Sequence, residues 1–194
     1  MSIVVGVRKG NRIALASDTM TSCGSHRDVP DNIVTTKIRK FGSAVIGTTG
    51  WALFDNILDD LLSSKRSIRL NSKEAVFKFC MRLWNELHDR YNFVNDQSQD
   101  RHTPFGDIDA QFLIASRGGL FTVASNLSVA EVTQFYAIGG GSDYAFGALD
   151  VLYDSAASAS EMAERAVRTA INFDVYCGGK IDILEVTTGS RRRK

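Results

Sequence analysis

Two short runs of branched apolar residues, Ile3-Val-Val-Gly-Val and Ile13-Ala-Leu-Ala, stand on either side of Lys9-Gly10-Asn11-Arg12. A connection containing Gly-Asn tolerates the backbone angles of a tight turn, so residues 2 to 18 read as a β-hairpin. The hairpin constrains the chain through its two ends. Antiparallel pairing across so short a turn sets the first and last residues side by side, and these are Ser2 and Asp18.

Ser2 directly follows Met1, so loss of one methionine leaves a residue that carries both a hydroxyl and a free α-amine. A serine hydroxyl is a poor nucleophile until a base takes its proton, and a terminal amine with a pKa near ~8 is such a base. That amine must stay largely neutral. A neighbouring ammonium helps by repulsion, and Lys37, paired to Asp18, is the candidate.

With 194 residues, 44% hydrophobic and 23% charged, the chain is long enough for one well-buried domain, expected over residues 1–189. A net charge of +1 leaves no footprint for nucleic acid or an anionic membrane surface. The basic tail at 190–194 reads as a solvated end. Three scattered cysteines, at 23, 80 and 177, have neither disulfide-framework nor zinc spacing, and this fits a reducing cytoplasm. His26, His88 and His102 have no partners at ligand spacing, so no metal site is expected. No apolar run reaches membrane length, and neither a signal peptide nor a membrane span is expected.

Further along, Thr19 to Asn32 reads as a surface loop or short irregular strands, and Ile33 to Thr36 as a strand delivering Lys37. After a turn at Gly42-Ser43, the run Ala44 to Ile46 reads as a strand entering a glycine-bracketed turn, Gly47-Thr-Thr-Gly50. Helices are expected from Trp51 to Ser64 and from Asn71 to Asp89, the second opened by a capping box of Asn71 and Glu74. Asn92 to Asp109 reads as an exposed loop. Strands flank Arg117-Gly118-Gly119, and Val129 to Ile138 adds one or two more. Ser142-Asp143 is expected to cap a helix reaching Tyr153, and Ser158 with Glu161 a further one, before a last strand at Lys180–Thr187. The order is strands, two helices, strands, two helices, strand. This predicts an α+β fold, a four-layer αββα sandwich of two antiparallel sheets flanked by helix pairs.

Several landmarks in register resemble the proteasome β-type subunits, a family of N-terminal-nucleophile hydrolases. They are Ser2, Ala-Ser-Asp18, Thr-Lys37-Ile-Arg-Lys, Val-Ile-Gly47-Thr-Thr-Gly, Ile-Gly-Gly-Gly-Ser142, and Asp174-Val-Tyr-Cys177-Gly-Gly-Lys-Ile-Asp182. They span nearly the whole chain, and bacterial HslV, Anbu and the β-proteobacterial proteasome homologue are similar in the same way.

The resemblance implies a peptidase that needs no cofactor. Ser2 would be nucleophile and base, Asp18 and Lys37 would tune its amine, the Gly47 N–H would hold the oxyanion, and Asp174 would support the site. Val45, Thr49, Leu53 and Thr21 would contact substrate, and Val45 at the base of the pocket implies preference for apolar residues before the cut. The chain also departs from the family. Ser stands where Thr is common, Gly140 replaces a hydroxyl that contacts the amine, with Ser142 two residues on, and Cys177 replaces a Ser. As partners the resemblance implies the chain's own copies, in a double ring of twelve or fourteen subunits with fourteen favoured. Peptide or unfolded-protein substrates and an ATP-dependent unfoldase complete the expectation. Two alternatives stand beside it, a catalytically silent ring-forming subunit and an amidase acting on small molecules.

Overall fold

The computed structural model describes residues 2–23, 26–28, 32–63, 68–91 and 106–189. The expected loop therefore falls largely outside the described residues, as do the basic tail and His102. The hairpin forms from β1 (Ile3–Lys9) and β2 (Arg12–Asp18), joined through Gly10 at φ +60°, with Lys9 opposite Arg12. Strand β10 (Phe135–Gly139) lies outside β1, and β11 (Ile181–Thr187) outside β2, giving a four-stranded sheet in the order β10-β1-β2-β11. The second sheet has five strands, β5 (Ile38–Phe41), β6 (Ala44–Gly50), β7 (Ala110–Ser116), β8 (Gly119–Val123) and β9 (Val129–Val132), in chain order. A two-stranded ribbon, β3 (Ser22–Cys23) and β4 (His26–Arg27), completes the strands.

Helices α3 (Ser142–Leu152) and α4 (Ala159–Phe173) cover the first sheet, and α1 (Leu53–Ser63) and α2 (Lys73–Arg90) cover the second. The fold is the αββα sandwich. Alternation along β1 shows why its apolar run is continuous: Ile3, Val5 and Val7 pack toward α3 and α4, while Val4 packs between the sheets against Leu15, Ile38 and Leu113. A strand buried on both faces needs no polar alternation. The run from Val129 to Gly139 splits, β9 pairing with β8 and β10 crossing over to pair with β1.

Four expectations are corrected. Ile33–Thr36 forms no strand; among the described residues no strand pairs with it, and Ile33 and Val34 face solvent. Gly47-Thr-Thr-Gly50 is not a turn but the second half of β6, paired in register with Leu113 through Ala110. Helix α2 is capped one residue later than expected, by Ser72, whose side chain accepts the Ala75 N–H. Helix α3 starts from Gly141 with no side-chain cap, whereas the Ser158–Glu161 capping box of α4 is present in full.

Candidate active site

At the open end of the hairpin, the register that sets Val4 opposite Ser17 brings Ile3 beside Asp18. Asp18 is 0% exposed and fully occupied. Its Oδ1 accepts the Ile3 N–H at 3.1 Å and Lys37 Nζ at 2.6 Å, and its Oδ2 accepts the Gly178 N–H at 3.0 Å. Lys37, 4% exposed, also donates to the Met20 carbonyl at 2.7 Å. A buried carboxylate stays charged only when it is paired and hydrogen-bonded, and here three separate segments supply the donors. Ser2, 9% exposed, immediately precedes the Ile3 amide and lines a cavity of about 700 Å³ together with Lys37, Thr21, Thr49 and Gly140.

Three of the expected site residues lie elsewhere. Val45 is buried between the two sheets, so it cannot form the base of this cavity. Gly47 sits in the same layer, where an added Cβ would come within 2.6 Å of Val4 Cγ1. Its N–H points the wrong way as well. Thr48 donates to the Lys37 carbonyl at 2.9 Å, so alternation along β6 turns the Gly47 N–H toward Leu113 of β7 and the Gly50 N–H back toward Lys37 and the cavity. Leu53 begins α1 and does not line the cavity.

Ser142 is the first residue of α3, and among the described residues its side chain has no hydrogen bond to Ser2 or Lys37. Asp174 ends α4 and shapes the next turn: its Oδ1 accepts the Tyr176 N–H at 2.7 Å, and its carbonyl accepts the Cys177 N–H at 3.1 Å. That turn delivers the Gly178 N–H to Asp18. Burial, then the nearby charges of Asp18 and Asp174, push the Cys177 thiol up to about 12, with Lys37 opposing. Cys177 is therefore a neutral neighbour of the ion pair.

Sequence reasoning missed Gly50, Thr48, Asp55 and Asp109, which line the cavity, and Arg39 behind it. Gly50 has φ +128°, a conformation that favours glycine, and an added Cβ would lie 2.1 Å from the Asp109 carbonyl. Arg39 Nη1 donates to Asp55 Oδ1 at 2.9 Å and its Nε to Asp59 Oδ1 at 2.9 Å, while the Thr48 hydroxyl donates to the same Asp55 Oδ1. Strand alternation through residue 50 was the signal that could have revealed Thr48 and Gly50. No group of three or more His, Cys, Asp or Glu able to hold a metal occurs among the described residues.

No protein-family model matches the chain. The structure of Thiobacillus denitrificans BPH superposes with a TM-score of 0.88 at 29% identity, covering 97% of this chain and 99% of that one. The proteasome subunit beta of Nanoarchaeum equitans is 23% identical over 194 residues, 96% of this chain and 93% of the relative. The chain is a homologue of the proteasome β subunits. BPH in complex with epoxomicin superposes on this homologue equally well, with a TM-score of 0.87 at 29% identity over 96% of the chain and 99% of BPH. HslV from Trypanosoma brucei, at 20% identity and a TM-score of 0.64 over 95% of this chain and 99% of that one, shares the fold.

Proposed function

We propose that this proteasome β-subunit homologue is a self-compartmentalising peptidase that cleaves peptide bonds through Ser2 once Met1 has been removed. The observation that carries the reading is the buried Asp18–Lys37 pair, fixed at the Ile3 amide one residue from the Ser2 hydroxyl. The relatives support it, one being a proteasome subunit and another having been solved with epoxomicin.

In this reading the Ser2 Oγ attacks the scissile carbonyl and its proton passes to the Ser2 α-amine. The Lys37 ammonium, held by Asp18 and the Met20 carbonyl, repels a second positive charge and keeps the resting amine neutral. The Gly50 N–H takes the oxyanion role first assigned to Gly47, because it is the one turned toward the cavity. The protonated amine then gives its proton to the leaving nitrogen, the C–N bond breaks, and an ester on Ser2 remains. Water resolves the ester with the same amine as base.

A cavity open to solvent would hydrolyse cellular protein indiscriminately unless it were enclosed. We assign the enclosure to two stacked rings of identical subunits, fourteen in all, in the cytoplasm, fed with unfolded protein by an ATP-dependent unfoldase. Phe77 and Met81, one turn apart and exposed on α2, favour the α1–α2 layer as the ring-to-ring contact. Ser2→Ala tests the reading: hydrolysis of fluorogenic peptides is expected to vanish with the assembly intact, and unchanged hydrolysis would end the assignment.

A further inference from the structure

Among its described lining residues, the cavity beside Ser2 carries more negative charge than the one cation can balance. Lys37 is paired with Asp18 and also donates to the Met20 carbonyl. Asp55 and Asp109 also line the wall, each with an oxygen to spare. On Asp55 both bonds, from Arg39 and from the Thr48 hydroxyl, fall on Oδ1, leaving Oδ2 with no partner among the described residues. On Asp109, Oδ2 accepts Trp51 Nε1 at 3.0 Å and Oδ1 has none among them. Arg39 is only 11% exposed at its side chain, and it is divided between Asp55, Asp59, the Thr48 hydroxyl and the Thr36 carbonyl. Most of its N–H donors are thus engaged, and it does not itself line the cavity.

Three kinds of substrate side chain can be weighed against this wall. An apolar side chain would strip water from the Asp55 and Asp109 oxygens and return no hydrogen bond, which is costly for a carboxylate. An acidic side chain would add repulsion. A guanidinium or ammonium would replace the lost water with charge-assisted hydrogen bonds, the stronger class. We infer that the cavity selects a basic side chain, Arg or Lys, on the residue preceding the cut, with Asp55 and Asp109 as its partners and Thr48 orienting Asp55. The inference rests on Ser2 being the nucleophile and replaces the apolar preference expected from Val45, which lies in the core.

The test uses the full chain and peptides that differ only at that residue: Arg, Lys, Leu or Glu. With hydrogen bonds to charged groups as the source of discrimination, kcat/KM for Arg and Lys is expected to exceed that for Leu by about 10- to 100-fold, with Glu last. Asp55→Asn and, separately, Asp109→Asn should each shrink the Arg-to-Leu ratio. Two such variants guard against one failing to fold. Leu or Glu ahead of Arg, or a ratio that neither variant moves, would overturn the inference. Absence of hydrolysis for every peptide would instead count against the nucleophile, and the pocket is then read directly. Calorimetric binding of the corresponding peptide amides to Ser2→Ala should still rank Arg above Leu and Glu, and an equal or reversed order would refute the selectivity by itself.

Discussion

Replacing Lys37 by Met isolates what holds the Ser2 end of the hairpin in place. The substitution keeps most of the side-chain volume but removes the ammonium, leaving the Asp18 carboxylate at 0% exposure with only the Ile3 and Gly178 amides as donors. It also leaves the Met20 carbonyl without its donor. Breaking a buried ion pair by removing one partner costs about 3–5 kcal/mol, because the remaining charge is uncompensated. For a chain of this length each kcal/mol moves the melting temperature by about 2–4 °C, so a fall of about 6–20 °C is expected by calorimetry or circular dichroism. Asp18→Asn with Lys37→Met removes both charges, and the double variant should lose less than the two single variants summed, as coupled neighbours do. Below its melting temperature Lys37→Met should also hydrolyse peptides about 10²- to 10⁴-fold more slowly than the parent. A melting temperature within about 2 °C of the parent would refute the energetic account of the pair, and parental turnover would remove Lys37 from the mechanism.

Ser17 Oγ is buried without a hydrogen-bond partner among the described residues, so Ser17→Ala should stabilise the fold by about 1 kcal/mol in denaturant titrations; a loss of stability would show that the hydroxyl is satisfied. Burial pushes the Cys80 and Cys177 thiols from 9.0 up to about 12, so above pH 9 the unfolded chain ionises first and stability falls as the pH climbs toward 12. Cys80→Ala with Cys177→Ala should flatten that decline in a pH series of melts, and an unchanged slope would contradict it. Ser158→Ala removes the α4 cap and should cost about 1 kcal/mol with no change in kcat/KM. Light scattering should give about 300 kDa for fourteen copies of 21.3 kDa, and a monomer or dimer would contradict the chamber.

Local signals carried the hairpin, the order of elements and the α4 capping box, because a Gly-Asn turn, helical periodicity and Ser158-x-x-Glu161 act through neighbours in the chain. They also brought Ser2, Asp18 and Lys37 together, since hairpin register alone sets two of the three. The errors arose where distant partners decide. Gly47 looks like turn punctuation, yet it is a glycine because Val4 of the other sheet presses on it, and β6 continues to Gly50 because β7, some sixty residues later, pairs with it. That longer strand moves the cavity wall by three residues, from Val45 and Gly47 to Thr48 and Gly50. Ile33 and Val34 have strand-like composition but, among the described residues, no strand beside them, and the pairing of Arg39 with Asp55 and Asp59 joins β5 to α1 across a turn and a strand.

The central claim is that the α-amine and hydroxyl of Ser2 form one catalytic unit. Intact-mass spectrometry of the protein, acid-quenched during turnover of an activated peptide ester, tests it most directly. The account predicts a chain lacking Met1 that carries a single acyl group, mapped to Ser2 by proteolysis and absent in Ser2→Ala. Active protein that retains Met1, or an acyl group on any other residue, would contradict it.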